Sequence, residues 1–186
     1  MKIRLRGRLK KPEAAEGCLD AAALKQPGNQ LSQREIIRTL KDSLRQADEC
    51  LAKKFERRHD VNQLVKARAW VVDHLIIYAW DALIPLQEQV SLIAVGGFGR
   101  GELHPHSDVD LLILLEESPP DDALKTAIEA FVTLLWDAGF YLGHSVRTIE
   151  TCISEAAKDI ATATSLMESR LLSGSVERHA QMLDAT

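Results

Sequence analysis

The sequence lacks a long hydrophobic run, an excess of positive charge and any close pair of cysteines. No apolar stretch approaches the roughly 18 residues that a membrane-spanning helix needs, so we expect no membrane partner. The 23 Lys and Arg residues are outnumbered by 27 Asp and Glu residues, which gives a net charge of -4 and a pI near 5.9. This balance argues against a general nucleic-acid binder.

Cysteine is scarce, and its placement excludes two classes of small stabilised domain. Cys18, Cys50 and Cys152 are odd in number and far apart, which fits neither a disulfide framework nor a zinc site. We therefore expect a reducing compartment, the cytoplasm. A cluster of cations opens the chain, but the apolar stretch 21–24 that follows is too short for a secretory signal, so we predict a solvated tail. The cations are Lys2, Arg4, Arg6, Arg8, Lys10 and Lys11.

What is present is a helical half followed by a mixed half. With 186 residues, 46% of them hydrophobic, the chain is long enough for one globular domain. Residues 1–30 read as a loop-rich lead-in. Within a helical segment, 31–85, Ser32 and Glu35 form a capping box before an amphipathic helix, and Asp60 or Asn62 caps a second helix that stops before Pro85.

Residues 86–186 carry the pattern of a small sheet flanked by helices. Short apolar runs predict strands at 90–95, 108–115 and 140–148, and the periodicity predicts helices between Pro119 and Gly139 and over 159–172. Aliphatic neighbours place Trp70, Trp80 and Trp136 in the core. The sequence therefore predicts an α+β (α/β) fold in which a small mixed β-sheet is flanked by helices and preceded by an N-terminal helix pair.

The stretch GGFGRGELHPHSDVDLLIL, residues 96–114, carries the chemistry. Its glycines follow a predicted strand, yet they match neither the dinucleotide-binding spacing nor the P-loop spacing. Glycine lets the backbone approach a ligand closely and offer its N–H groups to phosphate oxygens. A purely structural turn remains the alternative at this point.

Two aspartates, Asp108 and Asp110, open the next predicted strand. Residues two apart on a strand face the same side, so both carboxylates point one way at the rim of an otherwise apolar strand. Two like charges at such a place repel each other and resist desolvation unless a cation or donors neutralise them. A divalent metal such as magnesium meets that need. The alternative is that Asp108 caps a turn with Ser107 while Asp110 bonds the neighbouring backbone.

A strand, a Gly-Gly turn, about ten residues and an Asp-x-Asp strand together resemble the polymerase β-type nucleotidyltransferase superfamily. With GHSVRT at 143–148, ATATSLMESRLLSG at 161–174 and KARAWVVDHLIIYAW at 66–80, the chain resembles the N-terminal catalytic domain of the bacterial PII uridylyltransferase/uridylyl-removing enzyme family. The likeness covers residues 32–176.

The resemblance implies a role for each matching residue. Gly96 and Gly97 would bind the phosphates of UTP, while Asp108 and Asp110 would be catalytic and hold Mg²⁺. Arg100 and Ser107 would support the phosphates and the carboxylates. The implied reaction is UMP transfer from UTP to a tyrosine of a PII-type nitrogen regulatory protein, in the cytoplasm and without nucleic acid.

Two departures from the family pattern keep other functions open. The strand 140–148 lacks the third carboxylate that many superfamily members carry; its polar residues are Ser145 and Arg147, and Glu150 lies just past it. Family members are also longer, with HD hydrolase and ACT domains, so we expect uridylyl removal and glutamine sensing to be missing. Adenylylation of another acceptor, or a non-catalytic module that senses nucleotide or binds protein, are the alternatives.

Two further features have a structural and a functional interpretation. His104-Pro105-His106 fits a rigid turn better than a metal site. Four cations between Lys53 and Arg58 are typical of a solvated helix end, although they could contact an acidic partner.

Overall fold

The computed structural model describes residues 7–21, 24, 31–85 and 88–186. After a short 3-10 helix, Glu13–Ala15, two long helices precede a sheet whose strands alternate with shorter helices. In chain order these are α1 Gln33–Glu56, α2 Val61–Leu83, β1 Val90–Ala94, α3 Gly96–Gly99, β2 Val109–Leu115, α4 Asp122–Asp137, β3 Leu142–Arg147, α5 Ile149–Ala156, α6 Ile160–Met167, β4 Arg170–Ser173 and α7 Val176–Ala185.

The helix pair begins where the sequence predicts. Ser32 accepts from the Glu35 N–H, and the Glu35 carboxylate accepts from the Ser32 N–H at 2.8 Å, so the capping box is formed. Asp60 caps α2 by accepting from the Asn62 N–H at 2.8 Å. Both helices share one apolar core with the sheet and α4, so the pair packs against the sheet. How the chain divides into domains stays a prediction.

The sheet is mixed, as expected, and has four strands in the order β3-β2-β1-β4. β2 runs parallel to β3 and antiparallel to β1, and β1 pairs antiparallel with β4. This arrangement puts β1 and β2 in the middle. The carboxyl end of β1 therefore lies beside the start of β2, where the glycine turn and the aspartates meet.

β2 is buried on both faces, as its sequence predicts. Val109, Leu111 and Ile113 belong to the core formed with α2 and α4. Leu112 and Leu114, which continue the face of Asp110, belong to a second core. That core is built with Cys152 of α5, Leu166 of α6 and two residues of α7, Met182 and Leu183. Asp110 thus lies at the end of a fully covered strand.

The predicted helix over 159–172 is wrong in its second half. The helix ends at Met167, and Arg170–Ser173 forms the edge strand β4. Arg170 and Leu172 are buried while Leu171 and Ser173 are only partly so, an alternation that fits a strand and not a helix. Two further helices, α5 and α7, were not predicted.

The expectation that the cysteines form no disulfide is also wrong. Cys18 and Cys50 form a disulfide with their Cα atoms 5.3 Å apart, which joins the lead-in to α1. Because the partners are 32 residues apart, their spacing carries no motif. The cysteine count therefore no longer argues for a reducing compartment.

The 3-10 helix of the lead-in packs into the main apolar core. Ala14 and Ala15 are buried, and Lys54 donates to the Ala14 carbonyl at 2.9 Å, so this part is not a free tail. The cations Lys2, Arg4 and Arg6 lie outside the described residues.

The burial predicted for the three tryptophans is right for two of them. Trp70 and Trp80 are buried as predicted, whereas Trp136 is 52% exposed.

No helix in the described part of the chain is both long and apolar enough to cross a membrane.

We predict that His179, on α7, makes the free energy of unfolding depend on pH. It is fully buried, its Nε2 lies 2.8 Å from Ser169 Oγ, and burial lowers its pKa from 6.5 to about 4. Between those values the unfolded chain takes up a proton that the folded chain does not, so the free energy of unfolding falls as the pH drops from 6.5 to 4, by up to about 3 kcal/mol.

We expect His179→Gln to flatten this dependence, because glutamine carries no titratable proton. Urea unfolding at several pH values between 7 and 4 measures the slope for both proteins. Parallel curves for the variant and the unsubstituted chain would contradict the assignment.

Candidate functional site

One cleft, about 480 Å³ in volume, brings most of the predicted site residues together. Five of the six line it: Gly97, Arg100, Ser107, Asp108 and Asp110. Gly96 lies at its edge, since a Cβ on this glycine would stand 3.7 Å from Asp110 Oδ2. The structure thus groups residues that the sequence separates by up to 14 positions, while their roles remain a prediction.

The glycine turn is the short helix α3. It is held by the Gly99 N–H, which donates to Val95 O at 3.0 Å, and by the Arg100 N–H, which donates to Gly96 O at 3.1 Å. The first N–H groups of such a turn have no partner within it, so they can bind an anion. Gly96 has a φ of +58°, which favours glycine. A side chain at Gly99 would collide with Glu168 O, because the end of α6 packs directly on the turn.

Asp108 and Asp110 lie at the start of β2, with Asp108 exposed and Asp110 half-buried. The strand begins at Val109, one residue later than predicted. Burial, followed by the negative charge of Asp108, raises the pKa of the Asp110 carboxyl. Gly143 of β3 pairs with Asp110, and a Cβ there would strike Asp110 Oδ1. The glycine therefore leaves room for the carboxylate.

This pair of carboxylates suits a cation. Both effects on the Asp110 pKa disfavour its charged form, and no hydrogen bond from the described residues offsets them, so a divalent ion would relieve the burial and the repulsion together. Across the residues described, no three His, Cys, Asp or Glu side chains converge on one point. A metal held by Asp108 and Asp110 would therefore complete its shell with water and phosphate oxygens.

Arg100 lies over the glycine turn between two carboxylates. Its Nε donates to Glu102 at 3.2 Å and its Nη1 to Glu168 at 2.5 Å. Its Nη2 stands 3.6 Å from the position of a Cβ on Gly97. Two of the three guanidinium nitrogens are thus held by carboxylates. The third, Nη2, faces the place where a phosphate would contact Gly97.

Arg170 supports the same turn from inside the protein, and no pattern in the sequence marks this role beyond the residue's place in 161–174. It forms a buried bidentate pair with Asp73 of α2, at 2.6 and 2.9 Å. The guanidinium also donates to Phe98 O at 3.0 Å and to Gly99 O at 3.3 Å. Asp73, Arg170 and the turn are therefore one connected unit.

The loop from Glu102 to Ser107 also lines the cleft. The Ser107 N–H donates to His104 O at 3.2 Å, and His106 has a φ of 63°, so His104-Pro105-His106 forms a turn. Ser107 is exposed next to Asp108. The Leu103 N–H donates to Val65 O at 3.4 Å, which ties this loop to α2.

Gly97→Ala tests whether the turn binds phosphate. The added Cβ would make ordinary contacts at 3.6 Å with Arg100 Nη2 and Glu102 O, so we expect the thermal midpoint to stay within about 3 °C of the unsubstituted value. The methyl group would fill the approach to the backbone N–H groups, and we expect the KM for the nucleotide to rise at least about tenfold.

Gly96→Ala is a comparison for stability only, because Gly96 is itself one of the predicted phosphate-binding residues. Its φ of +58° makes any side chain strained, so this variant should lose stability. An unchanged nucleotide KM in a stably folded Gly97→Ala protein would contradict phosphate binding at the turn.

Comparison with protein families places the cleft inside a known domain type. Residues 76–160 match the nucleotidyltransferase domain family. The match begins in α2, contains β1, the glycine turn and both aspartates, and extends to the start of α6.

The curated relatives that this chain matches share one name. Proteins named bifunctional uridylyltransferase/uridylyl-removing enzyme are 45% identical over 151 residues in Pseudomonas putida, 44% in Pseudomonas entomophila and 43% in Pseudomonas fluorescens. Each match covers 81% of this chain and 17% of the relative. The chain therefore spans about a sixth of the length of these relatives and corresponds to their N-terminal domain.

Proposed function

The chain carries a nucleotidyltransferase domain, and from this premise we propose that it transfers UMP from UTP to a tyrosine hydroxyl of a PII-type regulatory protein, with magnesium bound at the cleft. The observation that supports the proposal most strongly is the meeting of Gly97, Arg100 and the two aspartates in one cleft. The likeness to proteins named uridylyltransferases supports the choice of nucleotide.

The proposed reaction joins the acceptor oxygen to the α-phosphorus of UTP and breaks the bond from that phosphorus to the β-phosphate oxygen. Pyrophosphate leaves, and the hydroxyl proton is released to water. A magnesium ion held by Asp108 and Asp110 would neutralise charge on the triphosphate. Such a reaction depends mainly on positioning and electrostatic stabilisation.

Each wall of the cleft has its own part in that positioning. The N–H groups of the glycine turn would bind phosphate oxygens, and Arg100 Nη2 would donate to the same phosphates while Glu102 and Glu168 keep its guanidinium in place. Ser107, beside Asp108, would orient the carboxylate. Asp73 and Arg170 would keep the turn in its binding shape.

A second candidate is a module that binds nucleotide or protein without turnover. One observation favours it: the described residues bring no third carboxylate to the aspartate pair. A module of this kind would bind nucleotide through the same glycine turn. It would release no pyrophosphate.

A nucleotide panel separates these functions. Pyrophosphate release is measured with Mg²⁺ and each of the four NTPs, with and without a PII-type protein. We expect release with UTP that depends on the acceptor. Release with ATP instead would indicate adenylylation, and nucleotide binding without release would indicate the non-catalytic module.

A further inference from the structure

A second hollow, separate from the cleft, lies between α1, α2 and the loop from Leu103 to His106. It has a volume of about 400 Å³ and a mostly apolar lining, and we call it the helix-pair groove. Phe55 at the end of α1 is 61% exposed and Val61 at the start of α2 is 50% exposed, although both belong to apolar positions of the helices. These two side chains leave an apolar surface open to a partner.

The groove shares one wall with the cleft. Leu103, His104 and His106 line both, so the loop that carries them separates the two hollows and is shared by them. Leu103 is buried and its N–H donates to Val65 O, which fixes this wall on α2. A polypeptide whose hydroxyl enters the cleft would therefore lie along the groove on leaving it.

Charge at the groove favours an acidic segment. Arg57 and Arg58 lie exposed in the turn that joins Phe55 and Val61, two residues that line the groove, in a protein whose net charge is -4. Inside the groove Arg68 forms an ion pair with Asp48, and within the described chain its buried Nε has no hydrogen-bond partner. Burial lowers the pKa of Arg68, and an acceptor oxygen on Nε would offset that burial.

We propose that the helix-pair groove binds the acceptor protein, through an apolar side chain flanked by acidic residues near the hydroxyl that receives the nucleotide. This inference rests on the proposed function and adds a docking site to it. An apolar anchor in a groove with a charged rim is a common form of protein recognition. The groove would set acceptor affinity without touching the nucleotide.

The test compares Phe55→Ser/Val61→Ser with a control, Val176→Ser. Val61 and Val176 are each the first residue of a helix and each 50% exposed, but Val176 does not line the groove. Steady-state UMP transfer is measured while the PII-type protein and UTP are varied in turn. We expect the groove variant to raise the acceptor KM at least about tenfold, with the UTP KM unchanged, and the control to change neither.

Arg57→Gln checks the charge component. We expect it to weaken the dependence of the acceptor KM on salt, because exposed charges act over distances that salt screens.

The outcomes separate this inference from the proposed function. An unchanged acceptor KM in the groove variant, or an equal rise in Val176→Ser, would overturn the docking site and leave UMP transfer in place. Absence of UMP transfer by the unsubstituted chain would overturn the proposed function, and the docking site with it.

Discussion

Replacing Asp110 with asparagine should reduce the kcat for UMP transfer by about a thousandfold, the range seen when an enzyme loses one group that stabilises charge in the transition state. The amide keeps the shape of the side chain but removes a charge that the proposed magnesium ion would need. Folding should not suffer. Burial and the charge of Asp108 already raise the Asp110 pKa, so a neutral residue removes an unfavourable interaction.

Kinetics and unfolding must therefore be measured on the same Asp110→Asn protein. Asp184→Asn, on an exposed position of α7, is the control, and it should leave the kcat within about twofold of the unsubstituted value. Full transfer activity in the Asp110 variant would contradict a role for this carboxylate in catalysis.

The largest loss of stability should come from Arg170→Met. Breaking a buried ion pair by removing one partner costs about 3–5 kcal/mol, because the remaining charge stays buried and unpaired. Here Asp73 would lose both of its bonds to Arg170, and the carbonyls of Phe98 and Gly99 would lose a donor. Urea unfolding measures the loss. It should shrink at low pH, where Asp73 can take up a proton.

Two further variants distinguish the effect of the Arg170–Asp73 ion pair from the effect of the hydrogen bonds that Arg170 donates to the glycine turn. Arg45→Met removes a surface pair with Glu49 and should cost less than about 1 kcal/mol. Asp73→Leu/Arg170→Met replaces both charges with apolar groups, so it should recover much of the stability. In both Arg170→Met and this double variant the nucleotide KM should rise above that of the unsubstituted chain, because Phe98 O and Gly99 O lose their donor. A double variant with normal stability and normal KM would contradict positioning of the turn by Arg170.

The parts of the fold that depend on local pattern were predictable. The Ser32 capping box is confirmed, and it could be predicted because its two partners are only three residues apart. The burial of both faces of β2 could be predicted from a continuous apolar run. The grouping of Gly97, Asp108 and Asp110 follows from a strand, a turn and a neighbouring strand. These features need no knowledge of distant contacts.

The features that were missed depend on contacts between distant residues. β4 is a four-residue strand that pairs with β1, and it directly follows a helical pattern that predicts continuation. Arg170 lies 97 positions from Asp73, so nothing local marks it as the support of the glycine turn. The disulfide likewise depends on the packing of the lead-in on α1. The need for a glycine at position 143, beside the Asp110 carboxylate, shows in the sequence only because this residue belongs to the stretch GHSVRT.

The most direct test of metal-dependent UMP transfer at this cleft is transfer of label from UTP carrying ³²P at the α-phosphate to a PII-type protein, with Mg²⁺ or with EDTA. We predict acceptor-bound label with Mg²⁺, little with EDTA, and little with Asp110→Asn under either condition. Acceptor labelling that persists in the Asp110→Asn protein would contradict catalysis at this cleft, and no labelling by the unsubstituted chain with Mg²⁺ would contradict the proposed function.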